Sequence, residues 1–175
     1  MIFDMFNTIV EERRAKKPIL FGLEHDKILS AEEIGRFENT VHIILPDKYK
    51  EFIASYGGGY FGYAKIYSLD ENSDFYLLKH NNLPFEKYIK IADNGCGDYY
   101  LFSIDNGKCL ETLYFYDHEV GKVVQSVYED VFEYLIKVGL KSNSPKLGNK
   151  AEVYMRYTDM MSSRISRTDF FSKSL

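Results

Sequence analysis

The run from Leu45 to Gly62, Leu-Pro-Asp-Lys-Tyr-Lys-Glu-Phe-Ile-Ala-Ser-Tyr-Gly-Gly-Gly-Tyr-Phe-Gly, constrains the fold more than any other stretch. Gly57, Gly59 and Gly62 match the spacing of a dinucleotide-binding loop, which works only when a strand enters the glycines and a helix leaves them. Here the order is reversed. Tyr49, Phe52, Ile53 and Tyr56 sit at i, i+3, i+4 and i+7, the apolar stripe of a helix, and Pro46 suits its first turn. Gly57, Gly58 and Gly59 therefore end a helix, and the chain leaves them extended through Tyr60 to Tyr67. The context is wrong for nucleotide binding, and no cofactor is expected.

Elsewhere the chain supplies two kinds of pattern. Ile2, Phe3, Phe6, Ile9 and Val10 predict a first amphipathic helix that Lys16-Lys17-Pro18 breaks. Ser30-Ala31-Glu32-Glu33 is a capping box opening a second helix, with Ile34, Phe37 and Val41 inward. Strands are expected at 61–68, 74–79, 87–92, 98–104 and 109–116, and Asn106-Gly107 marks a hairpin between the last two. Ser126-Val127-Tyr128-Glu129 reads as another capping box, ahead of a closing helix with Val131, Leu135 and Val138 on one stripe and Gly139 as its stop. Helices, then strands, then a helix give an α+β domain over 1–140: N-terminal helices on a mainly antiparallel sheet of about five to six strands, with a C-terminal helix. Residues 141–175 are expected to form a basic, partly ordered extension.

Charge divides along the same boundary. Residues 1–140 hold 15 basic and 23 acidic groups, whereas 141–175 hold 7 and 3. An acidic body repels phosphate, so nucleic acid is not an expected ligand, and it speeds the approach of a basic partner. Fifteen Tyr and 13 Phe with no Trp suit strands and a ring-rich core, and tyrosine also suits interfaces. No run approaches the roughly 20 apolar residues needed to span a bilayer, and the N-terminus lacks a signal-peptide pattern. The cytosol is the default location, with Cys96 and Cys109 reduced.

Candidate chemistry is sparse. Asp117-His118-Glu119 places three metal-ligand types in a row, but neighbouring strand residues face opposite ways, so they share no ion unless the chain turns there. No metal is expected. A thiol–imidazole pair of Cys96 or Cys109 with His118 lacks any activating group in the sequence. Asp93-Asn94-Gly95-Cys96-Gly97-Asp98 resembles the first half of a calcium loop without its later acidic ligand, and reads better as a turn before a strand. His25, His42 and His80 are isolated. No enzymatic activity is expected.

The order of these elements resembles the SUKH superfamily, the Smi/Knr group that includes many bacterial immunity proteins. The likeness rests on Ser30-x-x-Glu33-Ile34, Leu45-Pro46-x-x-Tyr49-x-x-Phe52, Tyr56-Gly57-Gly58-Gly59, Ile91-Ala92-Asp93-x-Gly95-x-Gly97-Asp98 and Tyr116-Asp117-His118-Glu119, over roughly 28–138. It implies a non-catalytic protein-binding domain that holds and blocks a cognate toxin, such as a nuclease. The alternative is a regulatory or scaffold module that binds an endogenous protein. The expected partner-binding groups are Asp70, Glu71, Asp74, Tyr76, Asp93, Asp98, Asp117 and Glu119. Pro46, Tyr49, Phe52, Tyr56, Gly57, Gly58, Gly59, Gly95 and Gly97 are expected to be structural, Gly58 through a backbone angle that only glycine adopts. The oligomeric state is left open.

Overall fold

Ser30 opens its helix as the sequence predicts. Its Oγ accepts from the Glu33 N–H at 3.2 Å, and the Glu33 carboxylate accepts from the Ser30 N–H at 2.8 Å. This computed structural model describes residues 1–23, 25–81 and 87–140, and the statements below concern those residues. The extension expected over 141–175 lies outside them.

Helix α1 (Phe3–Lys16) buries Phe6 and Val10, and a short 3-10 turn (Pro18–Phe21) follows it. Helix α2 (Ala31–Val41) buries Ile34 and Phe37 and ends at His42, which takes a left-handed conformation at φ 55°. Helix α3 (Asp47–Tyr56) buries Tyr49, Phe52 and Ile53. Pro46 is the residue just before its first turn, one place earlier than the stripe suggested.

The sheet is a six-stranded antiparallel meander in chain order. Its strands are β1 (Gly59–Phe61), β2 (Ala64–Ile66), β3 (Tyr88–Asp93), β4 (Tyr99–Asp105), β5 (Lys108–Asp117) and β6 (Lys122–Gln125). The single strand expected over 61–68 is two short strands, because Gly62 at φ 58° turns the chain back on itself. The strand expected at 74–79 does not form. Ser73 and Tyr76 carbonyls accept from the N–H groups of Tyr76 and Lys79, which closes the segment into a turn leading to α4 (Leu77–His80). Asn106 at φ 49° and Gly107 at φ 76° make the hairpin turn between β4 and β5.

The closing helix starts later than its expected box. Ser126 still donates its N–H to Leu113 at 2.9 Å, so the chain there remains extended. Asp130 caps α5 (Val131–Tyr134) instead, accepting from the Glu133 N–H at 2.9 Å, and a wide π turn carries the chain from Leu135 to Gly139. Asp130 also takes the Lys48 ammonium at 2.7 Å, which fixes α5 to the start of α3. Burial opposes the Asp130 charge, but the Lys48 bond outweighs it and holds the carboxyl below its ordinary value.

One aromatic cluster joins the layers. The Phe6 ring stacks on Phe132 at 4.5 Å and meets Phe61 at 5.9 Å and Tyr56 at 5.8 Å, so α1, α3, α5 and β1 share one side chain. A fully buried phenylalanine of this kind is worth about 3–5 kcal/mol against alanine.

The chain crosses itself where α3 meets the sheet. Gly57 (φ 72°) and Gly59 (φ 84°) take left-handed conformations, but Gly58 does not. What demands glycine at 58 is space: a Cβ there would lie 2.6 Å from the Ser68 Cα, and the Gly58 carbonyl accepts from the Asp26 N–H at 2.9 Å on the other side.

Three exposed strand edges are covered. His25 bridges to Gly59 at the β1 edge. The Asn81 side-chain amide pairs with both backbone groups of Lys90 on β3, at 3.2 and 3.3 Å. Ile44 bonds to Gly107 and Cys109 at 2.8 Å each along the start of β5.

Gly58→Val should lower the melting temperature sharply, with about 3 kcal/mol or more lost, because Ser68 is backbone and cannot step aside. Gly35→Ala in α2 should raise stability by roughly 0.5–1 kcal/mol, since its Cβ would meet nothing within 4 Å. Thermal denaturation of the two variants checks both signs.

Candidate functional site

Asp98 enters β4 just after a tight loop, and Asp117 ends β5 beside it. The loop is a turn, as its sequence suggests. Asp93 accepts from the Gly95 N–H at 3.0 Å, and Asn94 Oδ1 accepts from Cys96 at 2.8 Å and Asp98 at 3.2 Å. Gly95 (φ 75°) and Gly97 (φ 102°) take left-handed conformations there, and a Cβ at Gly97 would press on the His118 ring at 3.0 Å.

The chain does turn at Asp117. Its Oδ1 accepts from the N–H groups of Glu119 (2.9 Å) and Val120 (3.0 Å), and its carbonyl accepts from Gly121. That turn sends His118 toward Asp98, whose Oδ1 lies 2.7 Å from Nδ1 and accepts from the His118 N–H at 3.1 Å. Asp98, Asp117 and His118 thus hold ligand-type atoms within 4.8 Å of one another, and Glu119 is not a member of that group. Both Asp98 oxygens and Asp117 Oδ1 accept hydrogen bonds, so the cluster acts as a clasp between the β3–β4 loop and the β5–β6 turn.

The clasp has electrical consequences. The hydrogen bond that His118 Nδ1 donates to Asp98 raises the His118 pKa above its ordinary 6.5. The same bond lowers the Asp98 carboxyl below its ordinary 3.8. Beside them, burial opposes the charge on Asp93, but Lys65 at 2.8 Å and the Tyr67 hydroxyl outweigh it and lower its pKa. Lys90 lies buried with its ammonium 3.5 Å from the centre of the Tyr99 ring, a cation–π contact, and burial lowers its pKa.

The expected partner-binding residues fall into two places. Asp93, Asp98, Asp117 and Glu119 gather at one end of the sheet. Asp93 braces Tyr67 and Lys65, Asp117 caps a turn, and Glu119 is exposed. Asp70, Glu71, Asp74 and Tyr76 lie on the loop between β2 and α4. Asp70 caps Asn72, Tyr76 packs its ring on Phe37 at 6.2 Å, and Glu71 and Asp74 are exposed.

Of the groups in the candidate thiol–imidazole pairs, Cys96 is exposed on the β3–β4 loop. His118 faces a carboxylate, and Cys109 is buried, with desolvation pushing its thiol up to about 12. His80 stacks on Tyr67 at 4.6 Å, a ring contact that its isolation in the sequence did not announce.

The family model for SMI1-KNR4 cell-wall proteins, SUKH_6, matches residues 31–135, more than half of the chain. The chain belongs to this family. A crystal structure of a protein from Pseudomonas syringae pv. tomato has the same fold, with a TM-score of 0.58 at 19% identity, over 78% of this chain and 99% of that one. No curated protein matches the chain significantly. The SUKH match begins at the capped start of α2 and ends in the closing helix, so it spans α3, its glycine exit and the whole sheet. It supports a protein-binding module. No helix among the described residues is long and apolar enough to cross a membrane.

The His118 charge depends on Asp98, so its pH window follows from the two directions of shift. A raised His118 pKa contributes stability below 6.5 that is lost as pH rises through the folded value. A lowered Asp98 pKa contributes above 3.8 and is lost as pH falls through its folded value. The melting difference between the wild type and Asp98→Asn should therefore be largest between about pH 4 and 6.5 and shrink above it. NMR titration should find His118 above 6.5 in the wild type and lower in the variant.

Proposed function

We propose that this SUKH protein is an immunity protein that binds and neutralises a cognate bacterial toxin of basic character, such as a nuclease. The observation that carries the reading is the meeting of Asp98, Asp117 and Glu119 on two clasped loops at one end of the sheet. Family membership supports protein binding, and this end supplies the negative charge that would meet a cationic surface. The mechanism is occlusion: the domain covers the toxin's active face and takes no part in chemistry. A second reading, a regulatory module binding an endogenous protein, draws support from the family's description as cell-wall proteins.

A toxin domain encoded by a neighbouring gene should form a complex with the purified protein that survives gel filtration, and co-expression should protect cells. Reversing two exposed charges, Glu71→Lys and Glu119→Lys, tests the surface: if the acidic end carries binding, Glu119→Lys weakens the complex on the order of tenfold and flattens its salt dependence. Glu71→Lys, on the β2–α4 loop, should then have the smaller effect. Absence of both complex and protection would remove the immunity reading and favour an endogenous partner.

A further inference from the structure

The fold covers its strand edges by three different devices, a backbone bridge at Gly59, a side-chain amide from Asn81 and a parallel bridge from Ile44, yet β6 has none of them. Among the described residues its pairing is with β5 alone. The usual protections of an edge are also thin: the strand holds one lysine, no proline and no shift in its register. Valines on and beside it are open to solvent, Val120 at 61%, Val124 at 52% and Val127 at 84% exposed.

The ladder fixes which backbone groups face out. Ser126 donates to Leu113, so the pair Tyr114–Gln125 is of the kind that makes no hydrogen bonds to each other, and the kinds alternate along the strand. Val124 and Lys122 therefore spend their N–H and C=O groups on β5. Val123 and Gln125 turn theirs to the open side, two donors and two acceptors at the spacing of a seventh strand.

We propose that β6 is the docking edge for an extended, basic segment of a protein partner, which adds a strand to the sheet and sets a Lys or Arg against the acidic turn at Asp117 and Glu119. The recognition is backbone pairing for affinity, with apolar side chains of the segment against Val124 and Val127. Charge selects the occupant. The edge is flanked by Asp117 and Glu119 at one end and the exposed Glu129 at the other, against the single Lys122. In a two-fold pairing of two copies centred on Val124, Glu119 of one copy would stand opposite Glu129 of the other, so the acidic ends oppose self-association and favour a cationic strand. This deepens the immunity reading by saying how a partner is held, and depends on that reading only for what the partner is.

A defined probe keeps the two apart. The capped hexapeptide Lys-Val-Arg-Val-Thr-Val is titrated into the isotopically labelled protein, with an acidic counterpart in which Glu replaces Lys and Arg. The basic peptide should shift the amide signals of residues 120–127 and slow hydrogen exchange at Val123 and Gln125 at least tenfold, leaving Val124 little changed. The acidic peptide should bind at least tenfold more weakly. Val123→Pro removes one outward donor without touching the β5 ladder, so it should abolish peptide binding with the melting temperature nearly kept. Gln125→Ala, which keeps the backbone, should bind as the wild type does. If Val123→Pro is poorly folded, Val124→Lys supplies the second variant, weakening the basic peptide by charge and lost apolar contact. Binding elsewhere on the sheet, equal binding of both peptides, no binding of the basic one, or a concentration-dependent dimer through β6 would overturn the proposal. Failure of the neighbouring toxin to bind, with the peptide result intact, removes the immunity reading alone.

Discussion

Two stretches of backbone pass at Gly58 with no room for a side chain between them. On one side lies Ser68, and on the other the Asp26 N–H bonds to the Gly58 carbonyl. The chain leaves α3 through this gap, so the helix layer and the sheet are held in register by contact of main chain with main chain. The same kind of approach recurs a few residues on, where the β1–β2 turn meets the end of the closing helix. Tyr63 donates to the Gly139 carbonyl at 2.8 Å, and a Cβ at Gly139 would lie 2.6 Å from the Phe61 carbonyl oxygen. The Phe6 cluster, with ring centroids 4.5 to 5.9 Å apart, packs against Phe61 of the strand that follows the first crossing.

Charge is handled differently inside and at the rim. Asp130 is nearly buried and is satisfied by Lys48 and by a helix start, and Asp93 is satisfied by Lys65 and Tyr67. Lys90 has aromatic faces where these have counter-charges. Such groups cost too much to leave unpaired, so they organise the interior and are poor candidates for partner contact. The rim carboxylates stay hydrated and cheap to present. Glu119 belongs to the rim, and Asp98 lies between the two regimes, half-buried against His118.

Much of this was legible in the residues. The helix stripe ending in three glycines, the Ser30 capping box and the Asn106-Gly107 turn are local signals, and each produced the element it implies. Long-range effects were not legible. The Asn106-Gly107 turn pairs Asp105 with Lys108, and an unbroken ladder from there would set Asp98 opposite Phe115. The register instead shifts between Phe102 and Ile104, where β5 carries two more residues than β4, and this brings Asp98 to Asp117 and His118. Nothing in the alternation of side chains records that shift, because two extra residues keep the faces the same. The strand expected at 74–79 failed for a related reason: its composition suits a sheet, but Ser73 and Asp70 turn the chain, and the segment pairs only through a single parallel bridge of Tyr76 to Ser68. β6 is so short that its edge position emerges only from the pairing.

The stacking of Phe6 on Phe132 also sets a schedule for making the protein. The first helix leaves the ribosome early, but the ring that completes its burial is 126 residues further along the chain. At synthesis rates of about 5–20 residues per second, that gap lasts roughly 6–25 seconds. Through that interval the apolar stripe of Phe3, Phe6 and Val10 is in water without its final partner, a natural foothold for a chaperone on the nascent chain. Closure of the domain is then a late event, made when the last turn of helix arrives and shuts the first one in.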